Sequence, residues 1–309
     1  MSCFSRSFPV SPWKSLFRTY AMRFHIFLFL VVTLIVFSGC EDEPPTDYIP
    51  KPYIQAYLLV GQPIEDIIVA TTQPIDEAYD FVGSLVPDAE VSIEVDGSVL
   101  QLAYREDIDG GRYFCPDTTV LVEAETLYRL KVLMPDGTTV SAETTTPQEI
   151  QWTLKPAAHV QYPDDTTRLQ ANDSLRARWT SGNSAEYLVR VMVLDTINYG
   201  AYLEPATGES NTRTNSRGGK NDNKYSSTRW GYAASNRTRL AWTSFTWHGK
   251  NNVTIMAPDY WFLEWFKSVQ FSRISAEYDT QESNVVGGIG VFGSASILSQ
   301  DVFLLKNNR

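Results

Sequence analysis

The residue types that most often carry out catalysis are few in this chain and lie far apart. Only His159 and His248 follow Cys40, and neither lies in a spacing typical of metal ligands. A serine, a histidine and an aspartate could still meet in the folded chain, but no local motif indicates that they do. The carboxylate pair Asp164-Asp165 lies in a polar, proline-marked segment, where it is expected to be solvated. We therefore expect a chain that is not an enzyme, without catalytic residues, metal or cofactor.

Cys40 has surroundings that indicate a definite chemical modification. An apolar run over residues 26–37, broken only by Thr33, ends at Phe37-Ser38-Gly39-Cys40. A bilayer-spanning helix needs about 20 residues and a signal-peptide core about 7–15, so residues 1–39 are predicted to be a signal peptide. The tetrapeptide resembles a bacterial lipobox, in which the cysteine thiol carries diacylglycerol, although phenylalanine replaces the usual leucine. We expect lipid attachment at Cys40; an uncleaved anchor is the alternative, and the start is Met1 or Met22.

The segment after Cys40 is acidic and rich in proline. Residues 40–51 are predicted to be a lipid-anchored, semi-rigid tether, because prolines keep a chain extended. Its run Glu41-Asp42-Glu43 resembles the signal that sends lipoproteins of Bacteroidota to the outer face of the outer membrane. An ordinary solvated linker is the alternative. We expect a lipid-anchored protein at the outer membrane, exposed at the surface, with lipidated Cys40 as its membrane contact.

Charge and cysteine content exclude two classes of protein. The chain has a formal charge of −10, and the four basic residues before Cys40 leave −14 on the remainder. Such an acidic surface repels phosphate backbones, so we expect no nucleic-acid partner. Of the three cysteines, only Cys115 lies within the predicted domains, so no internal disulfide can form there. Cys115 is expected to be a small buried apolar group.

Period-two alternation predicts a first β-sandwich domain over residues 52–147. Val91, Ile93 and Val95 alternate with polar residues and precede Asp96-Gly97, a strong hairpin signal. Asp136-Gly137 separates two further alternating runs in the same way. Short strands at spacings of about 8–12 residues are typical of an antiparallel immunoglobulin-like sandwich. The fold class is therefore mostly β, with two such sandwiches in tandem.

The second β-rich domain is predicted over residues 148–309, where the arrangement of Trp179 and Tyr187 resembles a fibronectin type III half-sandwich. Residues 207–238 are almost all polar and are expected to be a surface insertion, either a mobile loop or a polar hairpin laid across the domain. This insertion is either inert or a contact site. Residues 258–270 are expected to form a short amphipathic helix opened by Pro258, whose aromatic side chains are either core or a contact surface. The possible ligand or partner contacts in these segments are Arg213, Arg217, Lys220, Lys224, Trp261 and Trp265.

Longer motifs resemble known families. Pro87-Asp88-Ala89-Glu90-Val91 and Gly111-Arg112-Tyr113-Phe114 resemble motifs of transthyretin-like or carboxypeptidase-regulatory-type sandwiches. The glycine-rich run 284–294 has the wrong spacing for a nucleotide-binding loop and predicts a turn followed by a tightly packed strand. With the lipid cysteine and the sandwich, this run makes residues 53–294 resemble the domain of unknown function 4249 family of Bacteroidota. That resemblance implies a cell-envelope lipoprotein, often encoded beside a TonB-dependent outer-membrane receptor, and it implies no catalytic residues.

Two functions of different classes follow from these expectations. The first is a non-catalytic binding or accessory lipoprotein that works with a TonB-dependent receptor. The second is a structural or adhesive lipoprotein of the cell surface. The sequence names neither a ligand nor a partner for either function.

Overall fold

The alternating segments in the first half of the chain form short β-strands. The computed structural model describes residues 48–74, 76–107, 110–163, 173–214, 228–271 and 282–307. The predicted signal peptide, Cys40 and most of the tether lie outside these residues. The elements of the first half are β1 Pro52–Leu59, β2 Ile68–Thr71, α1 Phe81–Ser84, β3 Glu90–Val95, β4 Ser98–Gln101, β5 Ala103–Arg105, β6 Arg112–Phe114, β7 Leu127–Leu133 and β8 Thr139–Thr145.

Both predicted hairpins are present. Asp96 and Gly97 have φ values of 48° and 76° and join β3 to β4, and Gly137, at 87°, lies between β7 and β8. These positive values explain the glycine of both turns and the aspartate of the first turn. The four strands form one sheet in the order β4-β3-β7-β8. Local turn chemistry and alternation therefore determine this part of the fold.

The second half of the chain also consists mostly of strands, which confirms the mostly β fold class. Among the described residues, no helix is both long enough and apolar enough to cross a bilayer. The elements are β9 Trp152–Leu154, β10 His159–Gln161, β11 Arg176–Trp179, β12 Tyr187–Val193, β13 Thr228–Ala233, β14 Arg237–Arg239, β15 Gly249–Pro258, α2 Tyr260–Phe271 and β16 Ile289–Leu305.

The last strand, β16, connects both halves of the chain. It pairs with β15 in antiparallel fashion, and it pairs in parallel with β1 near its start and with β10 near its end. One sheet thus has the order β13-β12-β15-β16-β1-β2, with β10 added beside β16. Residues 50–309 form one compact unit. The structure is compatible with sandwich packing but does not confirm two separate tandem sandwiches, because strands from both predicted domains share this sheet.

Two smaller sheets pack on one face of the large sheet and create two cores. The first core lies between β1 and the sheet of β3 and β7, and includes Ile54, Phe292, Ile93 and Leu130. The second lies between β12, β15 and the sheet order β14-β11-β9, and includes Val191, Ile255 and Trp179. On the opposite face, α2 covers a third apolar cluster. Cys115 is 3% exposed in the first core, as predicted.

Tyr113 brings together the two motifs noted in the first predicted domain. Its ring is buried, and its hydroxyl donates a hydrogen bond of 2.7 Å to the Val86 carbonyl. The same oxygen accepts a hydrogen bond of 3.0 Å from the backbone N–H of Ala89. The tyrosine therefore fixes the segment of chain that leads into β3.

The glycine-rich run 284–294 forms the expected turn and tightly packed strand. The Asn284 side chain accepts a hydrogen bond from the Phe292 N–H at 3.0 Å and donates one to the Phe292 carbonyl at 2.7 Å. Gly290 has a φ of 122°, and a Cβ there would overlap the carbonyl oxygen of Ile54 on β1. A Cβ on Gly293 would lie 2.9 Å from the backbone nitrogen of Phe262 in α2. The small residues permit close approach of β1 and α2 to β16.

Two predicted boundaries are corrected. The C-terminal helix begins at Tyr260, because Pro258 is the last residue of β15 and Asp259 caps the helix by accepting a 2.7 Å hydrogen bond from Phe262 N–H. The polar segment 207–238 is not a simple insertion, since its described part contains β13 and most of β14. Polar residues are compatible with these strands because most of their side chains are exposed or half-buried.

Candidate binding surfaces

His159 and His248 both have structural surroundings in the part of the chain that the structure describes. His248 is 8% exposed, and its Nδ1 lies 3.0 Å from the Thr212 carbonyl oxygen. Burial lowers the pKa of His248, which favours its neutral form. His159 lies against the ring of Phe303 on the neighbouring strand. The part of the chain that the structure describes contains no group of three or more His, Cys, Asp or Glu residues able to hold a metal ion; Asp164-Asp165 lies outside it.

Of the four predicted basic contacts, the structure describes only Arg213. Its guanidinium lies over the ring of Trp247, 5.0 Å from the centroid, and the two residues form an isolated β-bridge. Arg213 therefore braces the start of the polar segment against the domain. Arg217, Lys220 and Lys224 lie outside the described residues.

The predicted tryptophan contacts on α2 separate into a core residue and a half-buried residue. Trp265 is 5% exposed, and its ring lies 6.3 Å from that of Tyr53 on β1. Trp261 is half-buried and meets the ring of Tyr260 at 5.1 Å. The interpretation of this aromatic stripe as core therefore holds for Trp265, together with Phe262 and Phe266.

The N-terminal end of α2 is joined to the sheet by a buried carboxylate. Asp259 accepts hydrogen bonds at 3.0 Å from the backbone N–H and the hydroxyl of Ser294, and another from the hydroxyl of Thr144. Burial raises the pKa of Asp259, and the hydrogen bonds that it accepts oppose part of that rise. This contact connects β8, β16 and α2, so its role is structural.

A partly exposed aromatic surface lies where α2 meets the edge of the large sheet. Trp230 and Tyr232, both on β13 and each 37% exposed, have ring centroids 4.8 and 6.3 Å from that of Phe266. Below Trp230, the Arg190 guanidinium lies 5.8 Å from the ring and donates a 3.0 Å hydrogen bond to Thr254. We call Trp230, Tyr232 and Phe266 the β13 ledge.

The ledge is on an edge strand. β13 pairs with β12 through residues 228–233, and no strand among the described residues pairs with its other side. Edge strands offer backbone N–H and C=O groups to another chain, and aromatic residues are enriched in protein interfaces. This surface was not predicted, because residues 207–238 are almost all polar and Trp230 and Tyr232 were not singled out among them.

Four arginines form a second surface on the small sheet of β11 and β14. The antiparallel register places Arg176 opposite Arg239 and Arg178 opposite Arg237. Directly opposite residues point to the same face, so all four side chains project from one face, while Ala177 between them is fully buried. Together with Ser235 and Thr238 they line a cavity of ≈ 410 Å³. We call Arg176, Arg178, Arg237 and Arg239 the arginine face.

The arginine face concentrates positive charge in an acidic protein. Like charges directly opposite each other on paired strands are destabilising. Within the described ranges, no carboxylate forms an ion pair with Arg178 or Arg237. The sequence signal for this surface was present, because Arg176-Ala177-Arg178 and Arg237-Thr238-Arg239 both alternate with period two. What the sequence did not reveal is that the two segments are neighbours.

Comparisons with known proteins identify a family and no function. The model of the domain of unknown function DUF4249 matches residues 42–301. A search of curated proteins finds no match. The crystal structure of DIP-gamma IG1+IG2 is similar with 8% sequence identity over 85% of this chain and 100% of that chain, at a TM-score of 0.19. That score is too low to support an argument about the fold.

Proposed function

The chain belongs to the domain of unknown function 4249 family, and on that premise we propose that it is a non-catalytic accessory lipoprotein of the cell envelope. Cys40 would carry the lipid, and the acidic, proline-rich residues after it would hold the domain away from the outer membrane. Each buried CH₂ of an attached chain contributes about 0.8 kcal/mol to membrane binding, which makes binding through a single acyl chain marginal and reversible. Stable anchoring therefore requires more than one chain on Cys40.

The β13 ledge is the observation that carries the proposal. It combines an edge strand with two aromatic side chains, Trp230 and Tyr232, that are each 37% exposed. An extended segment of a partner protein can add to such an edge through backbone hydrogen bonds, while its side chains contact the aromatic rings. The proposed partner is a TonB-dependent receptor of the same membrane, which contributes the added segment.

Contacts with neighbouring side chains hold the Trp230 ring in place, which favours a role in partner binding over an exposed aromatic residue without a function. Trp230 is held from one side by Phe266 of α2 and from the other by Arg190. Arg190 is itself fixed by Thr254, and burial lowers its pKa. Pre-ordered aromatic side chains lose little conformational freedom when a partner binds, which increases affinity.

The test is affinity purification of the lipidated protein from native outer membranes, with mass spectrometry of the co-purifying proteins and of the Cys40 peptide. The parent is compared with Trp230→Ala/Tyr232→Ala and with the control Tyr79→Ala, which removes an aromatic side chain that is 75% exposed elsewhere. Thermal unfolding of each variant checks that the fold is retained. The proposal is supported if the receptor no longer co-purifies with Trp230→Ala/Tyr232→Ala but still co-purifies with the parent and with Tyr79→Ala.

Two other results would reject it. Retention of the receptor by the double variant would show that β13 is not the contact. Recovery of the acylated parent protein alone, under conditions that preserve known receptor complexes, would favour the structural or adhesive surface role.

A further inference from the structure

The arginine face has the features of a ligand site that is separate from the β13 ledge. We propose that it binds an anionic saccharide carrying at least two linked sulfate, phosphate or carboxylate groups. Guanidinium groups recognise such oxyanions through paired hydrogen bonds as well as charge. The proposal does not depend on a receptor contact at β13.

The spacing of the arginines favours a ligand with two anionic groups. Arg178 and Arg237 form one cross-strand pair, and Arg176 and Arg239 form the next. Cβ atoms within such a pair are about 5 Å apart, and successive pairs along a strand are about 7 Å apart. One oxyanion at each pair would place two linked groups along the strand direction. Because the second group then binds within the same complex, its effective concentration is high.

The surface context favours a saccharide over a single small ion. Arg178, Arg237 and Arg239 are exposed, so an isolated inorganic anion would compete there with water and salt. Ser235, which is exposed, adds a neutral hydrogen-bonding group to the lining of the ≈ 410 Å³ cavity, whereas Thr238 lies opposite Ala177 and points to the other face of the sheet. Saccharides offer hydroxyl groups for such contacts in addition to their charged substituents. Leu154, 42% exposed and opposite Arg178 on β9, provides adjoining apolar surface.

The charge of the whole chain argues against a nucleic acid at this site. Duplex DNA carries one charge per about 1.7 Å of its axis, so it would extend far beyond a face with two arginine pairs. Its remaining phosphates would meet a protein whose formal charge is −10. A short or sparsely charged anion avoids that repulsion and keeps the local attraction.

The test is titration of the detergent-solubilised full chain with a sulfated heparin tetrasaccharide, followed by calorimetry at several salt concentrations. Arg178→Gln/Arg237→Gln removes one arginine pair. Arg105→Gln/Arg129→Gln is the matched control, since it removes the same charge from exposed strand positions on β5 and β7. Arg178→Lys/Arg237→Lys keeps the charge but loses the paired hydrogen-bond geometry. Thermal unfolding verifies that all variants are folded.

We expect Arg178→Gln/Arg237→Gln to weaken tetrasaccharide binding by about 10-fold or more, because charge-assisted hydrogen bonds are stronger than hydrogen bonds between neutral groups. The dependence of affinity on salt should also become shallower. The Lys variant should lie between this variant and the parent, and the control should remain within about twofold of the parent, because it leaves the arginine face intact.

Three results would overturn the proposal. Parent binding to the tetrasaccharide no tighter than to inorganic sulfate would exclude a ligand with linked anions. Equal losses in the arginine-face and control variants would show that overall charge, and not this surface, determines binding. Equally tight binding of a single-stranded oligonucleotide of the same charge would reject a saccharide site.

Discussion

Replacement of Gly290 by alanine tests whether the glycine-rich run 284–294 is a structural element. Gly290 lies opposite Ile54 in the parallel pairing of β1 with β16. Its φ of 122° is a conformation that favours glycine, and an added Cβ would overlap the Ile54 carbonyl oxygen. The obstacle is backbone in the middle of a strand, so no side-chain rotation can relieve it. The substitution must therefore either strain residue 290 or separate β1 from β16.

Two terms give the size of the effect. Holding a non-glycine residue in a sparsely populated backbone region costs about 1–3 kcal/mol, and overpacking typically adds about 1–3 kcal/mol. The expected loss in the free energy of unfolding is therefore about 2–6 kcal/mol if the two terms add. Natural domains are stable by only about 5–15 kcal/mol, so Gly290→Ala should lose a large part of its stability or fail to fold.

Urea unfolding followed by tryptophan fluorescence measures this loss. Gly231→Ala is the control, because Gly231 also lies within a strand, but a Cβ there would meet no atom within 4 Å and its φ is not positive. We expect that control to lie within about 0.5 kcal/mol of the parent. Should Gly290→Ala prove as stable as Gly231→Ala, the close approach of β1 and β16 would not require glycine, and the structural explanation of the motif would be wrong.

Two further substitutions test buried polar contacts. Tyr113→Phe leaves the Ala89 N–H without its acceptor and should cost about 1–3 kcal/mol in urea unfolding at neutral pH. Burial raises the pKa of Tyr113 from 10.0 to about 12, so the tyrosine should stabilise the fold fully below pH 10 and progressively less between pH 10 and pH 12. A difference in free energy of unfolding between parent and Tyr113→Phe that stays constant from pH 10 to pH 12 would contradict the raised pKa. Asp259→Asn keeps one oxygen for the helix cap but turns an amide towards the Ser294 N–H, so it should also cost about 1–3 kcal/mol. Burial raises the pKa of Asp259 above its usual 3.8, so folding favours the protonated carboxyl. The difference in free energy of unfolding between parent and Asp259→Asn should therefore decrease as pH rises from 3.8 through the folded pKa. A difference that increases with pH would show that the pKa is not raised.

The parts of the fold that the sequence predicted are those determined by neighbouring residues. The β3–β4 hairpin needs only the alternation of Val91 and Ile93 and the positive φ of Asp96-Gly97. The same reasoning applies to β7 and β8, and to the amphipathic face of α2. Pairing between β1 and β16 is different, since Ile54 and Gly290 are far apart in the sequence and either strand could pair with several others. The division into two separate sandwiches was proposed because that long-range pairing leaves no local signal.

The candidate surfaces were predictable to different degrees. The alternation in Arg176-Ala177-Arg178 and Arg237-Thr238-Arg239 is a local signal for solvent-facing arginines that was not used, and only the register of β11 and β14 shows that they share one face. Trp230 was overlooked because it lies in residues 207–238, which are almost all polar and were considered as one insertion. Trp265 is a different case, since the sequence left it as either core or contact surface, and its burial in the structure shows that it is core.

The layers of the fold place the two proposed sites on opposite sides of the second core. Trp230 and Tyr232 lie on the face of the large sheet that carries α2. Ala233 of the same strand faces the second core, and beyond that core lies the small sheet whose outer face carries Arg178 and Arg237. A saccharide on the arginine face would therefore not obstruct a protein segment at β13. Simultaneous occupancy follows from both proposals, and it would allow one lipid-anchored chain to hold an anionic ligand while it contacts a membrane receptor. The residues of the family motif contribute to this arrangement indirectly, because Gly290 and Asn284 fix the large sheet that separates the two surfaces.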